Sequence, residues 1–210
     1  MTSIRIDITD AFQALLAVGA LCYALTLAAP AHATTVLPLY LDEVIDQSTT
    51  AFEGTVTEQR SGRDPQTHDI VTYTTFAVSD VLKGSVPTTY TVKQIGGAVP
   101  GEKIAFRVPG VPKFNVGQDY VVFMAGVSSQ GFSSPIGLAQ GRFVVTQDAK
   151  GAKGAKRVGN GSDFRNTASR MGVHMTAQTK AVMAAQAGPV RDMDLDSFKQ
   201  MVRGHVGAQR

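Results

Sequence analysis

Residues 69–84 read DIVTYTTFAVSDVLKG, and residues 118–124 read QDYVVFM. The first piece is crowded with Val, Ile, Thr, Tyr and Phe, which fit a pleated, half-buried surface. Ile70, Phe76, Val78 and Leu82 share one parity, so a strand over 69–82 is predicted, with one apolar face and a stop at Lys83-Gly84. In the second piece, Tyr120 to Met124 is apolar on both parities, which predicts a central strand covered on both faces. Working outward, Phe52, Gly54 and Val56 alternate with Glu53, Thr55 and Thr57, giving a strand near 51–59. Residues 60–68 (RSGRDPQTH) are polar, contain Gly62 and Pro65, and read as a hairpin tip. Tyr90, Val92 and Ile95 make a third strand ended by Gly96-Gly97. Gly and Pro punctuate 96–117 around the short apolar piece Ile104 to Val108. Residues 131–138 read as a weaker strand, and Gly141 to Val145 as a clear one with Arg157-Val158 as partner. Short strands with turn signals about every ten residues predict a mainly β fold, a sandwich or barrel.

Helices flank this β region. Leu39, Leu41, Val44 and Ile45 follow helical spacing, which predicts a short amphipathic helix over 39–48. Residues 161–190 are rich in Ala, Gly, Gln, Met and Thr and read as a low-complexity linker or loop, with a candidate helix at 176–187. Asp192 or Asp194 then caps a helix carrying Leu195, Phe198, Met201 and Val202. Lys199 and Arg203 fall toward its C-terminal half, where the helix dipole favours cations. The domain reading is therefore a β domain over 34–160, a linker over 161–190, and a C-terminal helix and tail over 191–210.

Ahead of the β domain, Ala11 to Ala29 is almost continuously apolar, Pro30 breaks the run, and Ala31-His32-Ala33 follows. Small residues at the first and third positions of that triplet suit a signal peptidase, so 1–33 is predicted to be an export signal cleaved after Ala33. Retention as an anchor is the other reading, since about 20 apolar residues can span a bilayer. Cleavage predicts a periplasmic or secreted protein with no membrane span. Cys22, the single cysteine, lies within this run behind the large Leu21, an arrangement that disfavours lipidation.

The chain has 210 residues, 43% hydrophobic and 18% charged, so a packed core is within reach and wholesale disorder is excluded. One Cys excludes a disulfide scaffold and a Cys-ligated zinc or iron–sulfur centre within one chain. His68, His174 and His205 show no paired spacing, so no metal is expected. No G-x-S-x-G elbow occurs, and the acidic residues are mostly singletons. Gly96-Gly97-Ala98-Val99-Pro100-Gly101 follows a strand, but no helix pattern follows to make a phosphate cradle, so no cofactor is expected. The reading is non-enzymatic, with a hydrolase of unrecognised site as an alternative. The net charge of +3 is mild, so an electrostatic role needs clustering. Lys150, Lys153, Lys156 and Arg157 supply a cluster with no acid among them, either a solvated loop or a candidate anion-binding site for lipid headgroups, polysaccharide or nucleic acid. Aromatics are not interleaved, so specific nucleic-acid recognition is not expected.

The order of these pieces resembles a group of exported bacterial proteins of unassigned function. The shared pattern is matched by Gly54, Val56, Val78, Val81, Leu82, Lys83, Gly84, Gly96, Gly97, Gly110, Pro112, Phe114, Val116, Gly117, Tyr120, Phe123, Gly137, Gln140, Gly141 and Phe143, within residues 39–147. More distantly, the strand–VLKG–VGxxY order is similar to netrin-like domains and tissue inhibitors of metalloproteinases. That resemblance implies an OB-like (netrin-like), closed or partly open antiparallel barrel with helices at its side, secretion and protein–protein binding. It also implies association with an exported metalloprotease. Those inhibitors chelate the target's zinc through an N-terminal Cys. The predicted mature N-terminus here is Thr34 and no Cys remains, so that mechanism does not carry over. Structural roles are expected for most matched residues. Lys83-Gly84 and Val116-Gly117 turn the chain, Tyr120 and Phe123 face opposite sides, and Gln140-Gly141 forms a bulge that lets the barrel close. The expected function is an exported binding module whose partner is another exported protein, a protease being one candidate. Its expected binding face is the loops 60–68, 96–117 and 128–135. A surface module held on an anionic polymer by the 150–157 loop is the alternative.

Overall fold

The computed structural model of the chain describes residues 39–148, 154–160 and 193–209. Helix α1 (Leu41–Gln47) leads into strands β1 (Thr50–Arg63), β2 (Ile70–Lys83) and β3 (Thr89–Ile95). A small hairpin, β4 (Gly97–Ala98) with β5 (Ala105–Phe106), precedes β6 (Asp119–Met124). A 3-10 turn over Leu138–Gly141 then leads to β7 (Arg142–Gln147), β8 (Lys156–Gly159), β9 (Met193–Asp194) and helix α2 (Leu195–Ala208). Seven of these strands form one antiparallel sheet in the order β3-β2-β1-β6-β7-β8-β9. The predicted export signal, its expected cleavage point after Ala33, and residues 161–190, read as a linker with a candidate helix, lie outside the described residues.

Both faces of the sheet are covered. On one face Leu41, Val44 and Ile45 of α1 and Phe198, Met201 and Val202 of α2 pack with Val121, Phe123, Phe143, Val145 and Val158. On the other, Phe52, Val56, Phe76, Val92, Tyr120, Val122 and Met124 pack with Phe114 from the loop before β6. Edge-on rings run through this second core: Phe52–Phe76 at 5.5 Å, Phe76–Phe114 at 5.1 Å and Phe114–Tyr120 at 5.1 Å. Strand β6 therefore contributes alternate residues to two cores, as its unbroken apolar run predicts.

The helices are set by local chemistry. Glu43 Oε2 accepts from the backbone N–H of Tyr40 at 2.8 Å, satisfying a donor at the start of α1. The Lys83 ammonium donates to the carbonyls of Ile45 and Asp46 at the other end, where the dipole is negative. Of the two candidate caps for α2, Asp194 is used: its Oδ1 accepts from Ser197 N at 2.9 Å.

Several expectations are corrected. The sheet is not closed into a barrel, because its outer strands β3 and β9 do not pair. Helices fill one face and the Phe114 segment fills the other, so the sheet buries its apolar surface without folding onto itself. Strand β1 runs on to Arg63, so 60–63 is strand rather than hairpin tip. Its polar residues there are exposed or half-buried, beyond the reach of either core. Phe76 and Leu82 do not share a face: register shifts opposite Ala51/Phe52 and Glu53/Gly54 rotate β2, sending Leu82 to the helical core. Residues 131–138 form isolated bridges, Lys93 with Phe132 and Met124 with Pro135, and no strand. Gln140-Gly141 is a 3-10 turn, not a barrel-closing bulge. Its glycine is required by close approach, since a Cβ on Gly141 would stand 2.8 Å from Ile136 N and 2.9 Å from Phe123 O.

Candidate functional site

The loops 60–68, 96–117 and 128–135 are tied to one another beside the β1–β2 hairpin. Lys93 of β3 is directly across from Tyr73 of β2. Its ammonium donates to Asp64 Oδ2 at 2.6 Å and to the Gln130 carbonyl at 2.8 Å, and stands 4.4 Å from the Phe132 ring centre. Asp64 also accepts from Tyr73 Oη at 2.8 Å, and from Thr67 Oγ1 and N at 3.0 and 3.2 Å. The Lys93 ammonium, with the Tyr73 and Thr67 donors overcoming desolvation, holds the Asp64 carboxyl far below the usual carboxylate range. Backbone bonding adds Ser133 N to Lys93 O at 3.0 Å. One lysine thus joins the hairpin tip to the 128–135 loop. On the hairpin's other side, Arg63 and Glu102 form an exposed two-pronged pair at 2.8 and 3.2 Å, joining the tip to the 96–117 loop.

The other face of the same three strands holds a cavity of about 310 Å³. Gln59, Ser61, Thr72 and Gln94 line it on the sheet side; Phe106, Val108, Val111, Pro112 and Phe114 line it on the loop side, with Arg107 and Lys113. The hairpin β4–β5 closes over it, and Gly97 makes that approach feasible. Its φ is +143°, and a Cβ there would stand 2.6 Å from Thr72 Oγ1 and 2.7 Å from Ser61 Oγ. The sheet-side polar groups are mostly engaged. Ser61 and Thr72 hydroxyls lie 2.8 Å apart, Thr72 donates to Gly96 O at 2.7 Å, and Gln59 donates to Phe114 O at 3.2 Å.

The basic cluster is divided. Lys150 and Lys153 lie outside the described residues, whereas Lys156 and Arg157 belong to β8. Lys156 donates to Asp119 Oδ2 at 2.9 Å and lies 3.9 Å from Glu53; Arg157 lies 3.5 Å from Asp148. The Asp119 bond, outweighing desolvation, raises the Lys156 pKa. Glu53 and Asp80 also receive Lys199 of α2, at 2.9 and 3.1 Å. Burial pulls the Lys199 pKa down, but those two carboxylates more than reverse it and leave it raised. These cations fasten β8 and α2 to the sheet. His68 lies in an exposed turn at φ +61°, and His205 Nε2 lies 2.7 Å from Asp46. Among the described residues no group of three His, Cys, Asp or Glu side chains could hold a metal ion. No helix among them is long and apolar enough to cross a membrane.

Sequence reasoning missed Asp64, Lys93 and Gln94. Val92 and Lys93 are adjacent in one strand and face opposite sides, and both are buried, so β3 is covered on both faces, which its polar residues Lys93 and Gln94 conceal in the sequence. No family model, curated protein or solved structure matches the chain.

Proposed function

We propose that the chain is an exported, non-enzymatic binding module, with the loop end around Lys93 as its face for another exported protein. The observation that carries this reading is apolar surface exposed on loops that hydrogen bonds and ion pairs join to the β1–β2 hairpin. Ile104 is 49% and Val127 61% exposed, on or beside segments tied down by the Lys93–Asp64 and Arg63–Glu102 bonds. Pre-ordered loops lose little conformational entropy on docking, and exposed aliphatic groups supply the burial that drives it. The OB-type, netrin-like assignment belongs to the same reading. The run β3-β2-β1-β6-β7 has the strand number of a partly open OB barrel, and the two helices lie against one face. A protease is one candidate partner, bound through these loops rather than through a chelating cysteine.

The test is affinity capture from the extracytoplasmic fraction of the source cells, at low and high salt. Wild type is compared with the double variant Ile104→Asp, Val127→Asp. A defined protein retained at high salt by wild type and lost by the variant supports the reading. Equal retention by both, or retention of an anionic polymer at low salt only, moves function away from these loops, in the latter case toward residues 150–157.

A further inference from the structure

Among the described residues, Gln94 is the buried side chain lining the cavity that has a polar atom without a hydrogen-bond partner. It is 4% exposed, lies directly across from Thr72, and lines the cavity. Its Nε2 is buried with no hydrogen-bond partner among the described residues. A buried amide without a partner is unfavourable, and such groups are ordinarily satisfied. Turning the carboxamide end over exchanges its nitrogen and oxygen, so this cavity-lining side chain can offer either a donor or an acceptor. The charges around that space are of one sign: Arg107 and Lys113 line it, and no carboxylate does. The opposite wall is apolar, with Phe106, Val111 and Phe114. At about 310 Å³ the space is at the small end of ligand sites.

We infer that this cavity binds an organic acid: an apolar body of a few carbons ending in a carboxylate. The body packs against Phe106, Val111 and Phe114. The carboxylate faces Arg107 and Lys113 and accepts from the Gln94 amide in its turned-over orientation. A metabolite acid and the free C-terminus of a peptide both present this chemistry. The inference is independent of the protein-binding reading, because Ile104 and Val127 do not line the cavity.

The test uses the full-length protein as the cell accumulates it. Its ¹⁵N–¹H spectrum is followed while 4-methylpentanoate is added, with the Gln94 side-chain amide identified by its absence in Gln94→Leu. The expected result is a saturable shift of that amide, with binding about tenfold tighter than for 4-methylpentanamide. Arg107→Gln with Lys113→Gln weakens binding by a similar factor, and Ile104→Asp with Val127→Asp leaves it unchanged. A parallel titration uses N-acetyl-Ala-Leu with a free or amidated C-terminus. Saturation by the free-ended peptide alone assigns the site to chain ends, and saturation by the small acid alone assigns it to free acids. Absence of a saturable shift with both probes overturns the inference, as does equal binding of acid and amide. Undiminished acid binding by a Gln94→Leu protein whose spectrum remains dispersed overturns it too.

Discussion

Replacing Phe198 by Ala tests how α2 is held. The ring is fully buried, 5.1 Å from the ring of Phe143 and 6.2 Å from that of Phe123. Three terms add. Removing a fully buried Phe side chain loses about 1.5–3 kcal/mol of transfer free energy. Each lost aromatic contact adds about 0.5–1.5 kcal/mol. The hole left between two rings relaxes only partly, because those rings belong to neighbouring strands of one sheet. The expected loss is about 4 kcal/mol, within the range of roughly 3–5 for Phe→Ala in a core. With a urea slope of about 2 kcal/mol per molar, the unfolding midpoint falls by about 2 M. Equilibrium urea unfolding, followed by far-ultraviolet circular dichroism, reads it directly. The comparison is Arg203→Ala on the same helix, which removes an exposed ion pair to Asp80 and is expected to lose less than about 1 kcal/mol. A Phe198→Ala loss no larger than that of Arg203→Ala would refute the docking of α2 on the Phe123–Phe143 face.

Further expectations concern pH, backbone approach and processing. Asp119 is held below its ordinary pKa first by the Lys156 bond; for Asp80, burial acts upward but the bonds from Lys199 and Arg203 prevail and leave it lowered. Their contribution is present above the unfolded carboxylate value of about 3.9 and is lost as pH falls through the lower folded values. Lys156 and Lys199 are raised, so their contribution is present below about 10.4 and is lost as pH climbs through the folded values. The urea midpoint should therefore drop at both extremes, and Lys156→Gln should shrink both limbs while lowering neutral stability by about 1 kcal/mol or less; an acid limb unchanged in that variant contradicts the pairing. Gly141→Ala should destabilise by about 1–3 kcal/mol because its Cβ meets only backbone atoms, whereas Gly62→Ala, with nothing within 4 Å, should stay within about 0.5. Differential scanning calorimetry separates the two, and equal melting temperatures would contradict the close approach at Gly141. Intact mass of the protein from the source cells should place the N-terminus at Thr34; a retained apolar leader would favour the anchor reading.

The sequence was most legible where one physical rule acted alone. Tyr120 to Met124 is apolar on both parities because both faces of β6 are buried, and nothing competes with that signal. The spacing of Leu195, Phe198, Met201 and Val202 likewise marks the buried side of α2. Legibility failed where a long-range partner decides the outcome. The parity of Leu82 with Phe76 is undone by bulges that only the pairing with β1 creates. Met193-Asp194 is a strand only because β8 lies beside it. Lys156 looked like part of a free basic cluster because Asp119 is 37 residues away in the chain. The three loops were identifiable from their Gly, Pro and polar content, but the lysine that binds two of them was not.

Among the described residues, the helical core is completed by the segment that comes latest in the chain. Met193, Leu195, Phe198, Met201 and Val202 pack with elements that, in the case of α1 and β1, precede them by more than a hundred positions. During synthesis, Phe123 and Phe143 emerge long before the ring that shields them. The fully buried residues of the second core all lie at or before β6, with Val144 of β7 packed against it, so most of it can assemble before α2 is made. A ribosome that stalls before Leu195 would leave the Phe123–Phe143 face open to solvent, the kind of surface that quality-control proteases and chaperones engage. Burial of the Phe123–Phe143 face thus depends on translation having reached α2.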